Sequence, residues 1–460
     1  MGPVLDDIRA AIGAGQVVDG PVIDARYLSD WVVPMTTGHP LALVRPRTTA
    51  EVAAILRICH EARTPVVPQG GLTGLAGGAT PVDQGVVLSL ERMTGIEELD
   101  EAAATMTVLA GTPLQTIQDA ARDAGLFFAL DMGARGSCQI GGNVATNAGG
   151  NRVIRYGMTR DLVLGLEVVL ADGTVLTSLN KLIKNNAGFD LRQMFVGSEG
   201  TLGVITRVVL RLHPQPRSQC TAFCGVDGYD QVVALLRHSR EWLGSTLSAF
   251  EVMWPDFYDL MTAPGTGVIP PVPAGAGAYV LIESLGTDAV RDPEHFEEML
   301  GAAVDAGLVG DGVVAHSAAE ARGFWAVRDA SGEFSRLGWP SLGYDIGIPT
   351  RDIGRFVDAC REAVQRRWPS ARLAFFGHIG DSNLHLHVKA PDGVPIGEVN
   401  QLVYGLVREW HGTTSAEHGI GSLRRPYLSY TRSAVEIAVM KQIKQALDPR
   451  GILNPGKIFL

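Results

Sequence analysis

The sequence predicts an α+β protein of two domains followed by a helical C-terminal segment. Length sets the domain count, because 460 residues exceed what one compact core holds and an apolar content of 46% suffices to fill two. Short β-branched runs alternate with amphipathic stretches of helical period, which is the pattern of mixed strands and helices. The pattern changes after the proline-rich HPQPRS, which places a first domain at 1–213, a second at 214–395 and the helical segment at 396–460.

Thr48 to Arg63 reads as a helix: Thr48 and Glu51 have capping-box spacing, and Val52, Ile55, Leu56 and Cys59 share one face. A strand at Val66-Val67-Pro68 runs into PQGGLTGLAGG, and GATPVDQGVVLSL then reads as a turn followed by a strand. Thr105 to Leu109 is a strand, and Thr112-Pro113-Leu114-Gln115 opens a helix with a capping box and proline at its first position. Leu166 to Leu170 and Thr174 to Thr177 form a hairpin about Asp172-Gly173, and Gly203 to Leu212 is a long strand. The second domain contains a strand at Ala278 to Ile282 and a helix at Ile353 to Trp368, with the loop GTGVIPPVPAGAGA before the strand. Val399 to Leu447 is helical, and an extended GILNPGKIFL closes the chain.

Composition excludes several classes. A formal charge of −10 without a basic stripe argues against nucleic acid or an anionic membrane as partner, Arg424 and Arg425 being an isolated pair. Five scattered cysteines and an opening MGPVLDDIRA without a basic and then apolar leader point to a reducing cytoplasm. Cys220 and Cys224 flank three residues with no second pair, so they are expected to be buried thiols, since structural zinc needs four ligands. No apolar run reaches the length of a membrane span.

Between Gly136 and Gly150 the chain reads GSCQIGGNVATNAGG, with five glycines and only Ile140 and Val144 as large aliphatics. Such a segment is too poor in aliphatics to build a core. It can bring many backbone N–H groups and short amides against one large polar ligand. Two more glycine segments, Pro68 to Gly78 and Gly197 to Gly203, suggest a shared ligand with a long phosphate and sugar tail. The first loop leads to a strand and lacks GxGxxG spacing, so a Rossmann NAD site is disfavoured.

The chemistry-bearing cluster is FGHIGDSNLHLHV, Phe376 to Val388, with SAEHGIG, Ser415 to Gly421; together they hold four of the eleven histidines. His378 and His385 bracket the turn Gly380-Asp381-Ser382-Asn383, and Glu417 would complete a first shell of two imidazoles and a carboxylate. That donor set suits zinc or another divalent transition metal with open positions. Strand alternation puts His387 on the face of His385. His418, beside a metal-bound carboxylate, is a candidate general base. Arg328 in GFWAVRDA stands at helical spacing from Phe324 and Trp325 and offers a guanidinium for a substrate carboxylate; spacing alone does not single it out from a solvated arginine.

Taken in order, PQGGLTG, GSCQIGGNVATNAGG, NNAGFDLRQMFVGSEGTLGVITRV, the HIGDSNLH loop and EHGIG resemble the FAD-linked oxidases of the vanillyl-alcohol oxidase and p-cresol methylhydroxylase superfamily. Within it, the likeness is to the D-2-hydroxy-acid dehydrogenases, the branch of D-2-hydroxyglutarate dehydrogenase, D-lactate dehydrogenase and the glycolate oxidase flavin subunit. It runs from RPRTTAEV at Arg45 to LNPGK at Lys457. The resemblance implies a two-part FAD-binding domain, an α+β substrate or cap domain and a C-terminal helical segment returning to the flavin. It implies that Pro68, Gln69, Gly70, Gly71, Leu72, Thr73 and Gly74 wrap the pyrophosphate. Gly136, Ser137, Ile140, Gly141, Gly142, Asn143, Thr146, Asn147, Gly149, Glu199, Gly200, Val204, Ile205 and Asn454 would hold the rest of the cofactor. It likewise makes His378, His385 and Glu417 metal ligands, His418 the base and Arg328 the carboxylate-binding arginine. His387 is included with the catalytic set. No covalent flavin histidine is assigned, and His39 lies in no motif.

This chain departs from the family pattern at three places. Ser382 stands where the metal loop usually has glycine. Gly343-Tyr344-Asp345 replaces Lys-Tyr-Asp, and His387 replaces asparagine, which removes a cation for the distal carboxylate of hydroxyglutarate. The expected reaction is oxidation of a D-2-hydroxy acid to the 2-oxo acid by FAD, with electrons passed to an external acceptor such as an electron-transfer flavoprotein or a quinone. A homodimer is compatible with the family. The competing readings are a metal-dependent hydrolase and a non-catalytic flavin carrier; yellow colour and bleaching by a hydroxy acid separate the three.

Overall fold

The computed structural model of the protein describes residues 3–31, 38–334, 336–337 and 339–459. The first two residues of the opening segment and the last residue of the closing one lie outside them. The chain divides into two compact units, the first comprising Met1–Gly150, Gly157–Gln215 and Glu417–Leu460, the second Asn151–Tyr156 and Pro216–Ala416. Residues 396–416, expected in the C-terminal segment, therefore belong to the second unit.

The first unit is built on two sheets. One has four strands in the order Val17–Asp19, Ala42–Val44, Val86–Ser89 and Val66–Gln69, the last three parallel. The Thr49–Ala62 helix connects two of them, and Thr48 accepts a hydrogen bond from the Glu51 N–H as its spacing predicts. The other sheet has five antiparallel strands, with Val204–Arg211 at its centre between Thr105–Leu109 and Val163–Val169. The expected hairpin forms from Val163–Val169 and Val175–Ser178.

Two expectations fail in this unit. Pro113, not Thr112, is the N-cap of the Leu114–Asp123 helix, and no side chain caps it. The Thr112 hydroxyl instead donates to the carbonyls of Gly95 and Leu109. The Gly136–Gly150 segment does join the core: Ile140–Ala145 is a short helix, and Ile140 and Val144 are fully buried. Glycine makes this close packing feasible, because a Cβ on Gly141 would lie 2.7 Å from that of Ala110.

The second unit holds one antiparallel sheet of seven strands, ordered Asp311–Val314, Ser218–Val226, Ala278–Gly286, Leu247–Met253, Arg372–His378, Asn383–Lys389 and Leu342–Gly347. Helices Pro255–Met261 and Ala318–Asp329 cover one face through Phe223, Tyr258, Tyr279, Phe324 and Phe376. The long tail helix expected over Val399 to Leu447 is broken. Ile396–Glu409 belongs to the second unit, Leu428–Thr431 and Ala434–Leu447 to the first, and Trp410 to Arg424 are not helical. Glycines at 412, 419 and 421 punctuate that interval, the last two at φ +80° and +52°.

All five cysteines are buried and unpaired. Cys220 and Cys224 sit four residues apart on one strand, roughly 13 Å at strand rise, too far to share an ion. Burial pushes both thiols up, to about 11 and about 12.

Candidate functional site

In the first unit the three glycine segments meet. A Cβ on Gly71 would lie 2.9 Å from the Cys138 Cα, so the first and second segments touch backbone to backbone. Four non-glycine residues here hold positive φ: Leu72 at 59°, Asn147 at 50°, Glu199 at 52° and Asn454 at 43°. Where such a residue stands beside one of right-handed conformation, the adjoining backbone N–H groups turn to one side and form an anion-binding concavity. None of the N–H groups of Gly71 to Leu75 has a protein acceptor among the described residues.

The side chains around this concavity are half-used. Gln69 donates its amide to the carbonyls of Tyr27 and Ala79, at 2.9 and 2.8 Å, but its buried Oε1 has no partner among the described residues. The same holds for the buried amide oxygens of Gln139, Asn143 and Asn454. Buried acceptors without donors are costly, so four in one place mark the seat of a ligand rich in N–H and O–H groups. A flavin dinucleotide, with ribityl and ribose hydroxyls and an adenine amine, fits that demand.

Asn454 lies against the first and third glycine segments, donating to the carbonyls of Gly78 and Glu199 at 3.0 and 2.7 Å. Val204 and Ile205 are buried at the start of the central strand, and Thr146 closes the short helix by donating to Gly142. The Glu199 carboxylate accepts from the N–H groups of Ile420 and Gly421 at 2.8 and 2.7 Å and so fastens the returning chain. Burial nonetheless pushes its carboxyl up, those two hydrogen bonds opposing. Glu417 accepts from Gly150 N at 2.8 Å, and a Cβ on Gly149 would collide with its carboxylate. His418, half-buried, follows it in the same segment.

In the second unit the strand pair Arg372–His378 and Asn383–Lys389 carries the histidines. Their register sets Phe376 opposite His385 and Ala374 opposite His387. The turn between them places Ser382 at φ 70°, the conformation glycine favours, and its hydroxyl lies 2.8 Å from that of Thr350. His378 and His385 converge with their Nε2 atoms 3.3 Å apart. Two imidazole nitrogens on a tetrahedral zinc at about 2.05 Å stand about 3.3 Å apart, so the pair has the spacing of shared ligands.

Arg328, near the end of the Ala318–Asp329 helix, joins them. Its Nε donates to Glu251 Oε2 at 2.9 Å, its Nη2 lies 2.6 Å from His378 Nε2, and its guanidinium carbon is 5.7 Å above the Phe376 ring. The guanidinium thus faces the nitrogen that would take a metal, and a cation there would require it to turn aside. One helical turn back, Trp325 donates to Glu283 at 3.2 Å. Glu283 also accepts from Arg152, Gln219 and Ser248, so a fully buried carboxylate has four donors. Glu251 and Glu283 escaped the sequence reading. The available signal was a lone charge inside each apolar run, LSAFEVM and AYVLIESLG.

His387 stacks on Phe334 with centroids 3.9 Å apart, and its Nδ1 lies 2.9 Å from the Ser341 hydroxyl. Asp345, opposite His385, accepts from Asn383 at 2.7 Å.

Comparison with known proteins places these features in context. Residues 40–178 match the FAD binding domain, and residues 215–458 match the C-terminal domain of FAD linked oxidases. The chain is 41% identical to the mitochondrial D-2-hydroxyglutarate dehydrogenase of Bos taurus, over 99% of this chain and 83% of that protein. It is 36% identical to D-2-hydroxyglutarate dehydrogenase of Stutzerimonas stutzeri, over 99% and 98%. Among solved structures, p-cresol methylhydroxylase with substrate bound aligns with a TM-score of 0.78 at 17% identity, covering 99% of this chain and 96% of that one; this likeness is one of fold.

Proposed function

The chain belongs to the family of FAD-linked oxidases, and from that premise we propose that it oxidises a D-2-hydroxy acid to the 2-oxo acid. The names of its relatives support D-2-hydroxyglutarate as one such substrate. Gln69 to Gly74, the Gly136–Gly149 segment and Asn454 would hold FAD, which supplies a two-electron acceptor for the hydride lost from the carbinol carbon.

The rest is done by side chains. Arg328 binds the substrate carboxylate, and Glu251 fixes the guanidinium so that little conformational freedom is lost on binding. His418 takes the hydroxyl proton as general base. His378, His385 and Glu417 would hold zinc or another divalent cation, whose Lewis acidity makes the hydroxyl easier to deprotonate. Electrons leave to an external carrier, for which an electron-transfer flavoprotein or a quinone is suited.

The observation that carries this reading is the convergence of Arg328, His378 and His385 on one face of a sheet, within 2.6 and 3.3 Å. An anaerobic visible spectrum with D-lactate, D-malate, D-2-hydroxyglutarate and glycolate tests it: a yellow protein should bleach with at least one D-2-hydroxy acid. His385→Ala should keep its flavin and lose turnover by at least about 100-fold. Full activity in metal-depleted protein would sink the metal's role.

A further inference from the structure

We propose that Lys457, with Arg424, is a positioning residue of the flavin cradle: the two buried cations grip carbonyls of the first glycine segment, so that docking of the closing segment of the chain and binding of FAD are one coupled event. This goes beyond the functional reading and rests on the part of it that gives this loop to FAD.

The loop is hydrogen-bonded on one side only. Each carbonyl from Gly74 to Thr80 accepts a hydrogen bond. Of the N–H groups from Gly71 to Thr80, only that of Gly77 has an acceptor among the described residues, the Asp30 carboxylate at 2.6 Å. In the peptide units that follow Gly74, Leu75, Gly77, Gly78 and Ala79, the carbonyl is therefore engaged and the N–H is left for another acceptor. Peptide dipoles fixed in that sense turn their positive ends to an anion such as a pyrophosphate.

The closing segment supplies most of the donors. Arg424 Nη1 donates to the Leu75 carbonyl at 3.4 Å, the Ser422 and Leu423 N–H groups to Ala76 at 3.0 and 3.1 Å, and the Ser422 hydroxyl to Gly77 at 3.3 Å. Asn454 donates to Gly78 at 3.0 Å, and the Lys457 amine to the Thr80 carbonyl and hydroxyl at 3.0 and 2.7 Å. The approach requires glycine, since a Cβ on Gly421, at φ +52°, would lie 2.0 Å from the Ala76 carbonyl oxygen. Further on, the segment runs beside the terminal strand Val66–Gln69, where the Val66 N–H donates to Ile452 and the Asn454 N–H to Val66, both at 2.8 Å. Lys457 and Arg424 are each only 5% exposed. Their burial costs solvation that a neutral donor would not lose, and a pyrophosphate on the other side of the loop offsets part of it. Arg450 ties the same segment down elsewhere, donating to the carbonyls of His60 and Glu61 at the end of the Thr49–Ala62 helix, at 2.6 and 3.1 Å.

The test measures the FAD dissociation constant of flavin-free protein by quenching of flavin fluorescence, at a temperature where circular dichroism shows each variant folded. Lys457→Met should weaken FAD binding at least about tenfold, the worth of a hydrogen bond from a charged donor, with Lys457→Arg nearer the unmodified chain. Arg450→Met loosens the same segment away from the glycine loop and should bind FAD within about threefold of the unmodified chain, as for a surface change remote from the ligand. In the reverse direction FAD should slow amide hydrogen exchange at Ser422 and Leu423, the donors to Ala76, because coupling between two binding events is reciprocal. If Lys457→Met does not fold, Thr80→Val takes its place; it removes the hydroxyl that Lys457 engages and should weaken FAD binding several-fold. Unchanged FAD affinity in the folded variant, a Lys457→Arg variant no better than Lys457→Met, an equal loss in Arg450→Met, or exchange at Ser422 and Leu423 indifferent to FAD overturns the assignment of Lys457. Failure of the unmodified flavin-free protein to take up FAD would instead overturn the cradle itself.

Discussion

Arg328 shows how one residue acquires a task from partners far away in the chain. Its guanidinium is largely buried with Glu251, and 77 positions separate the two. A buried arginine needs that counter-ion, since breaking such a pair leaves a charge without compensation. Glu251→Gln keeps the shape and one acceptor but removes the charge; KM should rise about tenfold with a smaller change in kcat, and the melting temperature should fall by several degrees. Steady-state kinetics and a thermal melt check this, and an unchanged KM would show that Glu251 does not position the arginine. His378 and His385 were legible in sequence because seven residues and a glycine turn limit how far apart they can be. Arg328 was not, because nothing local distinguishes it from a solvated helix arginine. Lys457 is a similar case: burial pushes its amine down to about 8, although it donates to the Thr80 carbonyl and hydroxyl.

Among the elements, those governed by neighbours in sequence matched their expected forms. The Thr49–Ala62 helix and the hairpin about Asp172-Gly173 rest on a cap and a tight turn, both local. The Leu114–Asp123 helix start did not, since the Thr112 hydroxyl is drawn to Gly95 and Leu109. The Ile140–Ala145 helix was hidden by its glycines, which cost helix propensity yet permit contact with Ala110. Two glycines of the cradle should separate these roles. Gly71→Ala forces a Cβ against Cys138 and should lower the stability of flavin-free protein by at least about 2 kcal/mol, with loss of flavin. Gly142→Ala meets nothing within 4 Å and lies in a helix, so the same melt should be unchanged or up to about 1 kcal/mol more stable. Equal losses in both variants would mean that close packing is not why Gly71 is glycine.

At the scale of the molecule, the protein is an FAD-dependent oxidoreductase whose first unit keeps four buried amide oxygens without donors among the described residues. Cofactor binding should therefore be worth much of that unit's stability. Flavin-free protein should melt lower, and adding FAD at about 100 times its dissociation constant should restore about 2.7 kcal/mol. A melting curve indifferent to FAD would contradict the cradle. Among the described residues no helix is long and apolar enough to cross a membrane. By itself the sequence determined the mixed strand and helix content, the glycine segments and the histidine turn, because caps, turns, strand alternation and glycine's backbone freedom act over a few residues. Only the tertiary structure decided that Glu251 secures Arg328 and that Glu199 fastens the returning chain. Those outcomes depend on burial and on contacts between residues distant in sequence, where the cost of an unpaired buried charge or a misplaced Cβ selects the partner.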